Sequence, residues 1–130
     1  MKRDIKNRKD IEHLINLFYD KVKKDELIGF IFNDVAKVNW EKHLPVMYDF
    51  WENVIFSTGN YTGNPMIVHL QLHQHVPLTK KHFDQWLKLF AETVDELFQG
   101  NNATLIKERA LSIATIMQSK IFTVSPGEMT

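Results

Sequence analysis

Histidines are the residues whose type and spacing first indicate chemistry in this chain. His69 and His73 stand four residues apart, shortly after a turn that ends at Pro65. Proline suits the first position of a helix, because its missing N–H would be unpaired there in any case, so a short helix is expected to hold His69 one turn inside. Val68 and Leu72 place apolar groups around it. A neutral imidazole in such a setting is a natural metal ligand.

The same histidine pair allows two other interpretations. Histidines at positions i and i+4 of a helix can bind zinc. The motif has no carboxylate to act as a base, however, and the chain has no cysteine, which excludes thiolate zinc sites. The remaining interpretation is a histidine that is exposed or hydrogen-bonded and has no chemical role.

A second set of candidate residues shares one face of a predicted helix. His43, Met47 and Trp51 recur every four residues, which places them on the same face. That face is either a core stripe with a histidine at its edge or the wall of a ligand pocket. Tyr19 and Trp86 leave the same choice open, because a buried phenol or indole N–H needs a hydrogen-bond partner that the core or a ligand can supply.

Composition sets limits on these possibilities. The 130 residues suit one domain, and 16 basic against 16 acidic residues argue against a broad nucleic-acid-binding surface. No apolar run approaches the roughly 20 residues that span a bilayer, and no signal peptide is evident. With no cysteine, the chain is predicted to be cytoplasmic. Nine Phe, three Tyr and three Trp predict either a well-filled core or a pocket for a large flat ligand.

Apolar residues recur at helical spacing along most of the chain, and no segment alternates like a strand. We expect an all-α domain over residues 10–124, with a loose polar arm at 1–9 and a frayed tail at 125–130. Predicted helix caps are Asp10, Asp25, Asn39 and Thr79, and the last helix is expected to begin near Ala103. Pro45 is expected to kink its helix or make the first turn irregular.

Taken in order along the chain, several motifs resemble the truncated haemoglobins, and those of group III most. The similarity covers about Asp10 to Ile121. The motifs are Phe18-Tyr19, Gly29-Phe30-Ile31-Phe32-Asn33, Trp40-Glu41-Lys42-His43 running to Phe50-Trp51, Tyr61-Thr62-Gly63-Asn64-Pro65 with His69 four residues beyond, and His82-Phe83-Asp84-Gln85-Trp86-Leu87. Each motif is weak alone, whereas the ordered set is specific.

The resemblance implies a shortened globin fold, a two-over-two helical sandwich of about six helices around haem b, which is iron protoporphyrin IX. It makes His69 the iron ligand and places Tyr19, His43 and Trp86 beside the bound small molecule. His73 stays an alternative iron ligand, because the segment that follows His69 is longer than in some relatives. The expected haem contacts are Phe32, His43, Met47, Trp51, Val68, His69, Leu72, Trp86, Phe90 and Met117.

The implied function is binding of O2, NO, CO or peroxide at a five-coordinate haem iron. Oxygen transport and NO dioxygenase- or peroxidase-like chemistry both stay open, and the latter would need an external reductase. The alternatives are a haem-free helical interaction module on a globin-like scaffold and a zinc-dependent, histidine-rich enzyme. No nucleic-acid or membrane partner is expected.

Overall fold

The computed structural model describes residues 2–35, 39–59 and 78–123, with side chains described over 2–33, 39–59 and 78–119. These ranges hold four α-helices and one π-helical turn, and no strand lies within them. The elements are α1 (Arg8–Lys24), the π turn (Ile31–Val35), α2 (Trp40–Phe56), α3 (Lys80–Leu97) and α4 (Asn101–Thr123). The predicted all-α class is confirmed, and the count is close to the expected six. The helix predicted around His69 lies outside the described residues, as does the 125–130 tail.

The core forms where α1 lies across its neighbours. α1 packs against α2 and α3, while α4 packs against α3 and α2. Apolar residues recur every three or four positions in α1, so one broad face enters the interior. The buried residues of that face include Ile11, Leu14, Ile15, Phe18, Tyr19 and Val22. Phe18 and Tyr19 are therefore held near the centre of the molecule.

The start of α1 differs from the prediction. Asn7, not Asp10, is the N-cap, and its Oδ1 accepts a hydrogen bond of 3.1 Å from the backbone N–H of Asp10. Asp10 lies in the first turn, where it is buried and paired with the Arg3 guanidinium, one nitrogen of which donates at 2.7 Å. The hydrogen bonds from Arg3 lower the pKa of the Asp10 carboxyl against the opposing effect of burial.

The N-terminal residues are fixed to α4, although the sequence predicted a loose arm. Ile5 is fully buried, and the carbonyl of Arg3 accepts a hydrogen bond of 3.0 Å from the N–H of Gln99. The Asp4 carboxylate accepts hydrogen bonds of 2.9 Å from the N–H groups of Asn102 and Ala103. Because Asp4 supplies acceptors for these unpaired donors, α4 begins at Asn101, two residues before the predicted start.

Replacing Asp4 by alanine is expected to lower the free energy of unfolding by about 0.5–2 kcal/mol at pH 7, the usual cost of a lost cap. Burial opposes ionisation of Asp4, but hydrogen bonds from Asn102, Ala103 and Ile5 hold the pKa of its carboxyl below the ordinary value. The stabilisation of the fold by the ionised Asp4 carboxylate is therefore present above the unfolded-state pKa of about 3.9. It is lost as the pH falls through the lower folded-state pKa.

Urea unfolding followed by circular dichroism, at pH 7 and at steps below pH 4, measures both effects. Glu92→Ala is the control, because Glu92 is an exposed carboxylate on α3. It should stay within about 0.5 kcal/mol of wild type. An Asp4→Ala difference that kept its full size at pH 3 and below would contradict the assigned role of the charge.

The other predicted caps are present with some differences in detail. Asn39 precedes α2, but it is the carbonyl of Asn39 that accepts hydrogen bonds, from the N–H groups of Lys42 and His43. Asp25 caps the turn that follows α1, accepting at 2.9 Å from the N–H groups of Leu27 and Ile28. α2 continues through Pro45 to Phe56.

Across the described ranges, no helix combines the length and apolar character needed to cross a membrane.

Thr79 begins α3 as predicted, through a reciprocal pair of contacts with His82. The Thr79 N–H donates to Nδ1 of His82 at 3.0 Å, and the Thr79 side chain faces the same turn. This capping fixes the first turn of the helix that carries Gln85 and Trp86.

Candidate functional site

Four rings meet between α1, the π turn and α2. The Tyr19 ring centroid lies 5.2 Å from Trp40, 5.5 Å from His43 and 6.2 Å from Phe32. Trp40 also contacts Phe32 at 6.2 Å and His43 at 5.6 Å. Trp40 and His43 are three residues apart in α2 and so share one face of it. We call Tyr19, Phe32, Trp40 and His43 the polar cluster, because it brings a phenol, an indole and an imidazole together.

A second group of rings fills the space between α1, α2 and α3. Trp86 stacks on Phe90 with centroids 5.6 Å apart, and Trp51 stacks on the same ring at 4.9 Å. Phe18 meets Trp86 edge-on at 5.5 Å and Phe90 at 5.0 Å. We call Phe18, Trp51, Trp86 and Phe90 the inner cluster. It touches the polar cluster where Phe18 contacts Tyr19 at 4.9 Å.

The Tyr19 phenol is held as a buried hydrogen-bond donor. The residue is only 5% exposed. Burial raises the pKa of its hydroxyl, and no hydrogen bond to another described residue contributes to that shift. The phenol therefore keeps its proton across the physiological pH range and can donate to a small molecule beside it.

His43 and Lys23 define the side of the polar cluster nearest the surface. His43 is half-buried, with its Nε2 atom inaccessible to solvent. The Lys23 ammonium lies 4.5 Å from the centroid of the Trp40 ring, which is cation–π contact distance. The Trp40 ring thus contacts both the Tyr19 ring and a surface cation.

Trp40 is the site residue that sequence reasoning missed. It contacts all three other members of the polar cluster. Its spacing of three from His43 was a usable signal, because residues at i and i+3 of a helix lie side by side. From sequence, Trp40 was named only as the start of the motif Trp40-Glu41-Lys42-His43 and was not assigned to the site.

The predicted site residues fall into four groups. Tyr19, Phe32 and His43 meet in the polar cluster, and Trp51, Trp86 and Phe90 meet in the inner cluster. Met47 is half-buried against the core, and Met117 is buried on α4. Val68, His69, Leu72 and the alternative His73 lie outside the described residues. Within the described ranges, no three His, Asp or Glu side chains gather as a metal site.

This fold and site define a class: an all-α protein of the globin type, in which a buried phenol and an imidazole pack beside a cluster of aromatic rings. The comparisons with known proteins agree. The chain belongs to the bacterial-like globin family, whose model matches residues 4–122, and it is a truncated haemoglobin most similar to group III.

Two comparisons give the degree of similarity. The group 3 truncated hemoglobin ctb of Campylobacter jejuni is 32% identical over 125 residues, which is 94% of this chain and 96% of that protein. The crystal structure of the group III truncated hemoglobin from Campylobacter jejuni superposes with a TM-score of 0.81 at 31% identity. That match covers 93% of this chain and 95% of the other. The resemblance inferred from the ordered motifs is therefore confirmed.

Membership of the globin family makes this a haem-binding globin, and the described residues suit that group. A porphyrin is flat and largely apolar, so it needs an aromatic or aliphatic wall with few polar groups. The inner cluster offers such a wall. The polar cluster adds a protonated phenol and an imidazole beside these rings.

Proposed function

We propose that this globin binds haem b and holds O2 or another diatomic ligand beside Tyr19, His43 and Trp86. The observation that carries the proposal is the buried Tyr19 phenol, which stays protonated and contacts the His43 ring. A buried polar group is stabilised by a hydrogen-bond partner, and a small ligand beside Tyr19 can accept the hydrogen bond that its phenol donates.

Haem would be held from two sides. Haem iron with one protein ligand leaves its sixth coordination position open to a small molecule. We assign the protein ligand to His69, with Val68 and Leu72 beside it, on the basis of the family resemblance. The remaining contacts are assigned to Phe32, Met47, Trp51, Phe90 and Met117.

Tyr19 and Trp86 act on the diatomic ligand by donating hydrogen bonds. The phenol O–H and the indole N–H are donors from α1 and α3, and Phe18 packs against both rings. A hydrogen bond to a charged acceptor contributes roughly 1.5–3 kcal/mol, more than one to a neutral group. O2 carries partial negative charge when it binds, so these donors favour O2 and slow its release.

A pocket with two strong donors suits NO oxidation or peroxide activation better than reversible O2 transport. Strong retention of the ligand opposes delivery, whereas it favours a reaction that needs the ligand in place. Either reaction would draw electrons from an external reductase. We place the protein in the cytoplasm, where a chain without cysteine fits the reducing conditions.

The visible spectrum of the purified protein, with a titration by hemin, tests the proposal. We expect a Soret band and uptake of one hemin per chain. A colourless protein that takes up no hemin would favour the interaction module. One zinc ion per chain and no haem would favour the zinc enzyme.

We propose that the His43 side chain gates the mouth of the pocket by moving between solvent and the ligand, and His43→Leu is expected to remove this gate. Imidazoles titrate near neutral pH, and a protonated ring favours water, so the wild-type gate should open more at pH 5 than at pH 8. The groups that face it are the Tyr19 phenol and the Trp40 ring, with the Lys23 ammonium beyond. CO association measured by flash photolysis should be about tenfold faster in the variant at pH 8, equivalent to roughly 1.4 kcal/mol.

The variant should also lose the pH dependence of CO association between pH 5 and 8. His13→Leu is the matched control, because His13 is an exposed histidine on α1. Association at wild-type rates across this range in His43→Leu would show that His43 is not the gate.

A further inference from the structure

One carboxylate joins the end of α1 to the start of α3. Asp25 follows the last residue of α1, and its Oδ1 accepts a hydrogen bond of 2.6 Å from Nε2 of Gln85. The other oxygen, Oδ2, accepts from the backbone N–H groups of Leu27 and Ile28, both at 2.9 Å. The backbone N–H of Asp25 is in turn bonded to the carbonyl of Val22. These hydrogen bonds fix the orientation of the Asp25 carboxylate independently of Gln85.

Gln85 is adjacent in sequence to Trp86, and Asp25 is six residues beyond Tyr19. The two donors of the pocket thus stand on the two helices that this hydrogen bond joins. Phe18 also links the two donors, because it touches both rings. An exposed ion pair between Lys21 and Glu96 joins the same two helices farther along. Ring packing is weakly directional and tolerates sliding, whereas a short hydrogen bond to an ionised group fixes both distance and direction.

We propose that Asp25 and Gln85 are positioning residues that set the separation of the Tyr19 and Trp86 donors. The inference rests on the proposed function of the pocket and assigns a further pair of residues to it. Neither residue belongs to the polar or the inner cluster, so the pair acts through the relative placement of α1 and α3. Loosening the link lets α3 shift along α1, which changes the distance between the Trp86 indole and the Tyr19 phenol.

An exchange of the two chemical groups tests this in the haem-loaded protein. Gln85→Glu opposes two carboxylates and breaks the link, and Gln85→Leu removes it without repulsion. In Asp25→Asn the Gln85 amide can rotate by about 180°, so that its Oε1 accepts a hydrogen bond from the new asparagine amide. That variant should therefore resemble wild type. In the double variant Asp25→Asn with Gln85→Glu, the new amide donates to the new carboxylate, and the link returns with its charge reversed.

The readouts are the C–O stretching frequency of the CO complex, which reports the donors around the ligand, and the O2 dissociation rate. We expect the frequency to move in Gln85→Glu and Gln85→Leu, with O2 release roughly threefold to tenfold faster, a part of what a lost donor would cause. Both values should return in the double variant. Asp84→Asn is the control, because Asp84 precedes Gln85 and pairs with Lys80 in an exposed contact.

Tyr19→Phe, measured alongside, separates the two proposals. If it speeds O2 release while both Gln85 variants match wild type, the positioning role is wrong and the pocket function stands. A shift in the Gln85 variants that the double variant fails to reverse would also overturn the positioning role, since general loosening of the fold would explain it. A wild-type protein that takes up no hemin overturns the function and this inference with it.

Discussion

Tyr19→Phe is expected to speed O2 dissociation by about 10- to 100-fold, because a hydrogen bond to a charged acceptor contributes roughly 1.5–3 kcal/mol and 1.4 kcal/mol is tenfold. The substitution keeps the ring, so the contacts with Phe18, Phe32 and Trp40 persist. Only the buried hydroxyl is removed. Stopped-flow displacement of O2 by CO measures the rate.

Trp86→Phe should act in the same direction and by a similar factor, because it removes the second donor. The remaining ring can still pack on Phe90. The double variant should release O2 at least 100-fold faster than wild type. Its rate should differ from the product of the two single-variant factors, because Phe18 contacts both rings and couples the two sites.

Tyr48→Phe is the control for these changes. Tyr48 lies on α2, and its hydroxyl donates to Asn16 outside both clusters. Loss of that hydroxyl should leave O2 release at the wild-type rate. If Tyr19→Phe and Trp86→Phe also release O2 at that rate, the two side chains are not ligand donors.

The helical framework could be predicted from sequence because its signals are local. In α1, apolar residues from Ile11 to Val22 recur at the helical period and are buried as a set. Thr79 caps α3 through a residue only three positions away. The same local logic placed His43, Met47 and Trp51 on one face of α2. Trp51 lies in the core, Met47 packs against it, and the His43 ring contacts Tyr19.

What could not be predicted depends on residues far apart in the chain. The start of α4 is set by Asp4, 98 residues before Asn102. Asp10 looked like a cap, but Arg3, seven residues earlier, holds its carboxylate. The Asp25–Gln85 hydrogen bond joins positions 60 residues apart. A periodicity argument contains no information about such pairs.

In the candidate site, too, local sequence signals predicted burial but not which residues would meet. Phe18 and Tyr19 are neighbours in α1 and are both buried, yet one ring joins the inner cluster and the other the polar cluster. Successive helical residues point about 100° apart, so a broad buried face can serve two clusters. Sequence indicated that both were interior, and the packing of α2 and α3 decided which ring met which partner.

Replacement of the iron ligand is expected to have the largest effect on haem binding. His13 is exposed on α1, and His82 takes part in the capping of α3. His43 stands with the Tyr19 phenol, on the side assigned to the small ligand. The remaining histidines are His69, His73 and His75, outside the described residues, and the family resemblance selects His69.

His69→Gly is therefore expected to abolish stable haem retention, since one imidazole–iron bond anchors the group. Added imidazole should restore the Soret band by occupying the space left by the side chain. His73→Gly is the matched control and should keep one haem per chain with the wild-type spectrum. Pyridine haemochrome assays before and after gel filtration measure retention. The reverse pattern, with loss in His73→Gly and retention in His69→Gly, would make His73 the iron ligand, and the Tyr19 and Trp86 predictions would stay unchanged.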